Sequence, residues 1–333
     1  MVQTIAFVTG GFSGEAEISY KSAITIEKNI DKRRWNLYKI DITIDGWYYE
    51  TPSGVKTEVD KNDFSINIDD KKIVFDAVLI GIHGTPGEDG KLQGYFDTLR
   101  IPYTSCDAAT SALTFNKSFT VAVAAFNNID VSRSVLLFKN NTDSYRDASP
   151  DELVKSLRFP VFIKPNNGGS SIGMSKVNSP SEELGKAIEK AFKEDDQVLV
   201  EEFIRGRELT IGVFKSKGEI IPLPITEIIS KKEFFDYEAK YLGASEEVTP
   251  AKVDDSIAEK IREAAVKIYR VFNCSGIVRI DFIYNEAEAK PYMLEINTVP
   301  GQSEASIVPQ QLHAMGWSLM DFYTALIEEC LHN

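Results

Sequence analysis

Cysteine and histidine are scarce: 333 residues include three cysteines, Cys106, Cys274 and Cys330, and three histidines, His83, His313 and His332. An odd number of cysteines with no C-x-x-C pair suggests neither a disulfide framework nor a thiolate metal site, and the histidines lack zinc spacing. Any metal is therefore expected to be a hard ion held by oxygen. No apolar run approaches the roughly 20 residues of a membrane-spanning helix. A basic surplus is missing too, since 37 Lys and Arg against 50 Asp and Glu leave a formal charge of -13. Such a chain offers no broad face for nucleic-acid phosphates or an anionic membrane. The opening MVQTIAFVTGG has no basic region followed by a long apolar stretch and a small-residue cleavage site, so the expected compartment is the cytoplasm. What the chain does have is a 43% apolar composition and the length for two or three domains with a large core.

Strand-like and helix-like stretches alternate over the first hundred residues: TIAFVTGG, an amphipathic segment over 17–30, WNLYKIDIT, DAVLIGIHG, KLQGYFDTLR and IPYTS. That alternation predicts an open α/β unit with a parallel sheet and a binding edge at the strand C-termini. From about Ala108 the character changes to a helical SALTFNKSFTVAVAAFNN, a polar loop and short strands. Beyond QVLVEEFI the chain is strand-rich, interrupted by the helix DDSIAEKIREAAVKIYRVF. Three modest α/β lobes around shared clefts are expected.

The stretch PNNGGSSIG, residues 165–173, follows one extended run and precedes another. It is not a Walker loop, which must end in GK[ST]. It spells G-x-S-x-G around Ser171, but a nucleophile elbow needs a helix after the serine, and a short strand and a proline turn follow instead. By itself it reads as a phosphate cradle or as simple punctuation.

The strongest chemistry lies in VRIDF and LEINT. Polar residues two apart in apolar strands share a face, which puts Arg279 with Asp281 and Glu295 with Asn297. The short NEAEAK turn brings the strands together, giving an Asp, Glu and Asn oxygen cluster suited to Mg²⁺ completed by phosphates, with cross-strand salt bridging as the plainer alternative. In VTGGFSGEAEIS the spacing fails the dinucleotide pattern, and Glu15 and Glu17 would repel a pyrophosphate; Glu17 reads as a first-turn charge and Glu15 as a candidate ammonium ligand. His83 and the acids Glu88 and Asp89 occupy a loop after an apolar strand. Lys117, Lys164, Glu201, Glu202 and Glu208 could frame a nucleotide, each alone being an ordinary surface charge. FFDYEAKYLG, residues 234–243, has the composition of a closing loop.

Together, and in order, GGFSGEAEIS, HGTPGEDGKLQG, PYTS, SALTFNK, IKPNNGGSSIGMSKV, VEEFIRGRE, DYEAKY, RIDF and EINTVPGQSEASIVP resemble the D-alanine:D-alanine ligases of the ATP-grasp superfamily over nearly the whole chain. The resemblance implies a three-lobed α/β fold: an open parallel N-terminal substrate domain (1–105), a small central lid (106–199) and a C-terminal antiparallel-sheet domain with the metal and nucleotide site (200–333). It implies that ATP phosphorylates one D-alanine and that the amine of a second attacks the acyl phosphate. Glu15 would hold the first ammonium, with Ser170 and Tyr241 bonded to it as the lid closes. Arg279 and the Gly301 N–H would stabilise the oxyanion, while Ser306, Ile307 and His83 would lie at the second amino acid. Lys117, Lys164, Ser170 and Lys240 would contact phosphates, and Glu201, Phe203, Ile204, Glu208 and Phe234 the adenosine. Asp281, Glu295 and Asn297 would carry two Mg²⁺, or Mn²⁺, and the protein would be a homodimer.

The chain departs from the family pattern at Asn116, commonly Asp, and at Gln302-Ser303, commonly Met-Thr; Glu304 and Ala305 differ too. Those last positions flank the second-substrate pocket. Rival readings are a serine hydrolase using Ser171 with His313 or His332, and a nucleotide-binding protein without catalysis.

Overall fold

The computed structural model describes residues 2–139, 154–169, 172–180, 182–230 and 245–332. β1 (Gln3–Gly10) is buried over its last six positions, as expected of a strand paired on both edges. After α1 (Ala16–Asn29), β2 (Trp35–Thr43) returns parallel to β1. Only Ile44 and Asp45 connect β2 to β3 (Gly46–Glu50), and so short a turn permits only antiparallel pairing; β4 (Lys56–Glu58) extends it. β5 (Ile66–Ile68) and β6 (Lys71–Ile73) form a separate hairpin, and β7 (Ala77–Ile80) pairs parallel with β1. The sheet order is β4-β3-β2-β1-β7. The parallel sheet read from the sequence is thus parallel at β2-β1-β7 and antiparallel beyond.

α2 (Lys91–Leu99) leads to α3 (Ala108–Phe115) and α4 (Lys117–Phe126). The apolar pattern of this last pair reads as one helical stretch, but the chain breaks at Asn116, whose extended backbone lets its Oδ1 accept the Phe119 N–H at 3.0 Å as an N-cap. A four-stranded antiparallel sheet follows, ordered β10-β9-β11-β8, from β8 (Ser134–Phe138), β9 (Val161–Pro165), β10 (Ser175–Val177) and β11 (Gln197–Glu202), with α5 (Glu182–Ala191) between the last two in the chain. The largest sheet comprises β12 (Arg207–Ser216), β13 (Glu219–Pro222), β14 (Thr226–Ser230), β15 (Ser245–Val248), β16 (Val278–Asn285) and β17 (Lys290–Asn297). Its order is β15-β14-β12-β16-β17, with β13 also on β12. α6 (Asp255–Val271) precedes β16, and α7 (Ile307–Ala314) and α8 (Leu319–His332) follow β17.

Burial ties these layers to one another. α6 presents Ala258, Ile261, Ala265, Ile268 and Tyr269 at helical spacing to the largest sheet, in a core that also includes Leu209, Ile211, Ile280 and Phe282. α8 contributes Phe322, Tyr323, Leu326 and Ile327 to a core shared with Ile5 and Phe7 of β1 and Phe214 of β12. The C-terminal helix therefore bridges the first and last sheets, and the loops at their facing ends are held together.

Candidate active site

β16 and β17 place the acids where the two-residue period put them. Arg279 lies opposite Asn297 and Asp281 opposite Glu295, with a bulge at Leu294 that lets Phe282 face Met293. Thr210 of β12 pairs with Asp281 from the other side and donates its hydroxyl to Oδ1; Glu208, two residues earlier, shares that face. The Arg279 guanidinium grips Asp281 with two bonds, Nε–Oδ1 at 2.9 Å and Nη2–Oδ2 at 2.8 Å. The ion pair lies within β16, between residues two apart, and Glu295 and Asn297 face it from β17. Among the described residues no three His, Cys, Asp or Glu side chains assemble as a metal cage. The donors here are two carboxylates and an amide, a set that suits an ion sharing its shell with phosphate oxygens.

Arg279 also faces the N-terminal half of the protein. Burial pulls its pKa down, but Asp281, Glu295 and Glu88 more than offset this, so the net shift is upward. Glu88 accepts the N–H of Gly84 at 2.8 Å and that of Val299 at 3.1 Å, joining the loop after β7 to the loop after β17. Burial, then the negative charge of Glu15, pushes the Glu88 carboxyl up to about 8 against those two bonds and Arg279. The net direction favours the neutral carboxyl. Glu88 appeared in the sequence only as half of an acidic pair, and nothing in its spacing marked it as the link between two loops.

Glu15 is the residue before α1, and two glycines leave room for its carboxylate. A Cβ at Gly84 would stand 2.5 Å from Oε2, and one at Gly169 would stand 2.6 Å from Oε1. Gly169 belongs to PNNGGSSIG, so the glycine-rich loop lies against the first helix of the N-terminal unit. Glu17 is exposed on that helix's first turn.

In the four-stranded sheet Lys164 and Glu201, on neighbouring strands, form a nearly buried ion pair at 2.5 Å, with side chains 13% and 8% exposed. Lys117 donates to the Gly168 carbonyl at 2.6 Å, from the helix capped by Asn116. Phe203 packs on Phe162 with centroids 5.8 Å apart, with the Lys176 ammonium over its ring, and Ile204 is partly exposed beside it. Glu202 is no surface charge: it is buried and held by Arg158, whose bonds keep its pKa low although burial acts in the opposite direction. Ser170, Phe234, Lys240 and Tyr241, together with Ser171, lie outside the described residues.

His83 is buried. Its Nε2 meets the Ser22 hydroxyl at 3.0 Å, its backbone N–H donates to Ser19 at 2.9 Å, and it has a backbone hydrogen bond to Val299. Burial depresses its pKa to about 4, with Arg279 adding to the effect and the Val299 bond opposing it. A neutral imidazole so engaged fixes backbone. Gly301 and Ser306 fold against each other, since a Cβ on Gly301 would meet the Ser306 hydroxyl at 2.9 Å. That hydroxyl pairs with Ser303 at 2.7 Å where α7 begins with Ile307.

Solved structures share this fold. The VanG D-Ala:D-Ser ligase from Enterococcus faecalis matches with a TM-score of 0.88 at 33% identity, covering 98% of this chain and 99% of that one. A D-alanine–D-alanine ligase from Bacillus anthracis complexed with ATP matches at 0.77 and 26% identity, covering 99% and 98%. A match of this extent to a solved ligase, carried by the same mixed α/β sheets, makes this an ATP-grasp-type ligase. A family model described as the D-ala D-ala ligase N-terminus matches residues 4–106, and one described as the C-terminus matches 123–328. Curated D-alanine–D-alanine ligases of Phocaeicola vulgatus and Flavobacterium johnsoniae are 44% and 43% identical over 328 and 327 residues, 98% of this chain and 99% of each relative. The chain belongs to the D-alanine–D-alanine ligase family.

Proposed function

We propose that the protein joins two molecules of D-alanine into D-alanyl-D-alanine in the cytoplasm, a dipeptide for peptidoglycan precursors, with ATP converted to ADP and phosphate. The observation that carries this reading is the convergence of Glu15, Glu88 and Arg279, from opposite ends of the chain, beside the Asp281, Glu295 and Asn297 oxygens. The units 1–105, 106–199 and 200–333 supply, in order, the first-substrate acid, the phosphate-facing lysines and the oxygen cluster.

Glu15 receives the first ammonium, with Glu88 beside it. The carboxylate of that D-alanine attacks the γ-phosphorus of ATP and the bond to ADP breaks, leaving a D-alanyl phosphate. The amine of the second D-alanine attacks the acyl carbon, and the oxyanion that forms meets Arg279 and the Gly301 N–H. Preorganised donors of this kind supply much of the stabilisation in acyl transfer. The carbon–oxygen bond to phosphate then breaks and the new amide loses a proton. Ser306, Ile307 and the backbone fixed by His83 orient the second carboxylate. Lys117 and Lys164, with Ser170 and Lys240, hold phosphates, and Glu201, Phe203, Ile204, Glu208 and Phe234 hold the adenosine. Tyr241 and Ser170 join Glu15 in closure.

Asp281, Glu295 and Asn297 fit Mg²⁺ or Mn²⁺ by their oxygen chemistry, and a pair of such ions would neutralise the phosphate charge. Arg279 then keeps Asp281 aimed into the cleft. For the homodimer, the α3–α4 face offers an apolar groove lined by Ala109, Ala112, Leu113, Phe119, Ala122 and Val123, with Phe119 58% and Phe126 87% exposed. A second copy covering this face would double the 37.2 kDa mass in sedimentation equilibrium.

The test is phosphate release with ATP and Mg²⁺ across D- and L-amino acids and D-hydroxy acids, D-serine and D-lactate included. D-Alanine should give the fastest release and a dipeptide by mass spectrometry. Release independent of any amino acid would overturn the ligase reading.

A further inference from the structure

The loop from β17 to α7 holds Gly301 and Ser306, and its best-anchored side chain is one that no catalytic step uses. Gln302 is 5% exposed, and a polar side chain so placed is unfavourable unless its groups are bonded. Its Nε2 donates to the Pro300 carbonyl at 3.2 Å, and its Oε1 accepts from the Tyr323 hydroxyl at 3.3 Å. Tyr323 is 1% exposed on α8, and burial alone raises its pKa, so its phenol stays a donor. The Gln302 backbone N–H donates to the Ser22 hydroxyl of α1 at 3.1 Å. The same hydroxyl pairs with His83 Nε2, 3.0 Å away. Tyr323, Gln302, Ser22 and His83 form one buried relay from the C-terminal helix, through the loop, to α1 and the end of β7. It runs along the side of the loop next to Gly301.

We infer that Gln302, held by Tyr323, is a positioning residue for the second amino acid. The relay fixes the 300–306 loop so that the Gly301 N–H and the Ser306 hydroxyl are presented together. The inference deepens the ligase reading and rests on it for the identity of the substrate. Tyr323, 21 residues away in sequence, reaches the loop through its bond to Gln302.

Tyr323→Phe removes one hydroxyl and leaves Gln302 Oε1 buried without its donor. A lost buried bond of this size predicts about a fivefold to tenfold rise in KM for the second D-alanine. The KM for ATP and for the first D-alanine should stay within about twofold, which shows that the fold is intact. Replacing both partners, in Tyr323→Phe with Gln302→Met, leaves no orphaned polar group and should restore the second KM to within about threefold of the parent. Hydrogen exchange of the 298–306 backbone, measured on the same proteins without substrate, should quicken in the single variant and recover in the double. An unchanged second-substrate KM, a rise shared equally by all three constants, or a double variant worse than the single would each overturn the inference. If exchange behaves as stated while the parent releases no phosphate with any amino acid, the anchored loop stands and the ligase reading falls.

Discussion

Gly169→Ala adds one methyl group at the point where the glycine-rich loop meets Glu15. The new Cβ would stand 2.6 Å from Oε1, about 0.8 Å short of an ordinary contact. Gly169 does not need a positive φ, so the backbone accepts alanine and the strain falls on the contact itself. Either the carboxylate swings away or the loop stays back by a similar distance, and a displacement near 1 Å in a reacting assembly lowers rate on the order of 10²-fold. The first-substrate kcat/KM, followed by coupled phosphate release, should fall by about that factor, with thermal stability within a degree or two of the parent. Gly185→Ala, at a helical site with open space around it, is the control and should leave kinetics unchanged while stabilising slightly. If Gly169→Ala keeps kcat/KM within about threefold of the parent, the loop does not close on Glu15.

Glu88→Gln tests the raised carboxyl. A folded pKa near 8 against an ordinary 4.5 means that the stability tied to the bound proton is complete below about 4.5 and is lost as pH rises through 8. The variant should therefore gain on the parent in Tm from pH 6 to pH 9, and a constant difference would contradict the assignment. Lys164→Met leaves Glu201 charged and nearly buried without its partner, so urea unfolding should show a loss of about 3–5 kcal/mol, largely recovered when Glu201→Leu is added. Equal stability of parent and Lys164→Met would show that the pair is not formed. Asp281→Asn and Glu295→Gln should each fold while losing activity by orders of magnitude; parent-like turnover in limiting Mg²⁺ would remove that residue from the oxygen cluster.

How much the sequence disclosed depended on the range of the interaction. The hairpin was legible because side-chain alternation is local: Arg279 with Asp281 and Glu295 with Asn297 could be counted off the chain, and the register bears out the pairing. The bulge at Leu294 left no such mark. Asn116 was hidden between two apolar stretches, and its capping bond shows only once the backbone turns there. The antiparallel edge of the first sheet was set by the two-residue turn at Ile44 and Asp45, a signal that strand–helix alternation overshadowed. Glu88 and Gln302 gained their meaning from partners 211 and 280 residues away, Val299 and Ser22, which no local pattern encodes. His83 was expected at the second amino acid, and both of its ring nitrogens prove to be engaged within the protein.

If a carboxylate of one D-alanine attacks ATP before the peptide forms, an oxygen of that carboxylate must leave with the phosphate. With D-alanine carrying ¹⁸O in its carboxylate and unlabelled ATP in ordinary water, the acyl-phosphate route moves one ¹⁸O into each phosphate released. Phosphate bearing one ¹⁸O per dipeptide formed is the predicted mass-spectrometric result. Unlabelled phosphate alongside dipeptide would contradict the account, because the oxygen would then have come from water and the ATP would have been hydrolysed without activating D-alanine.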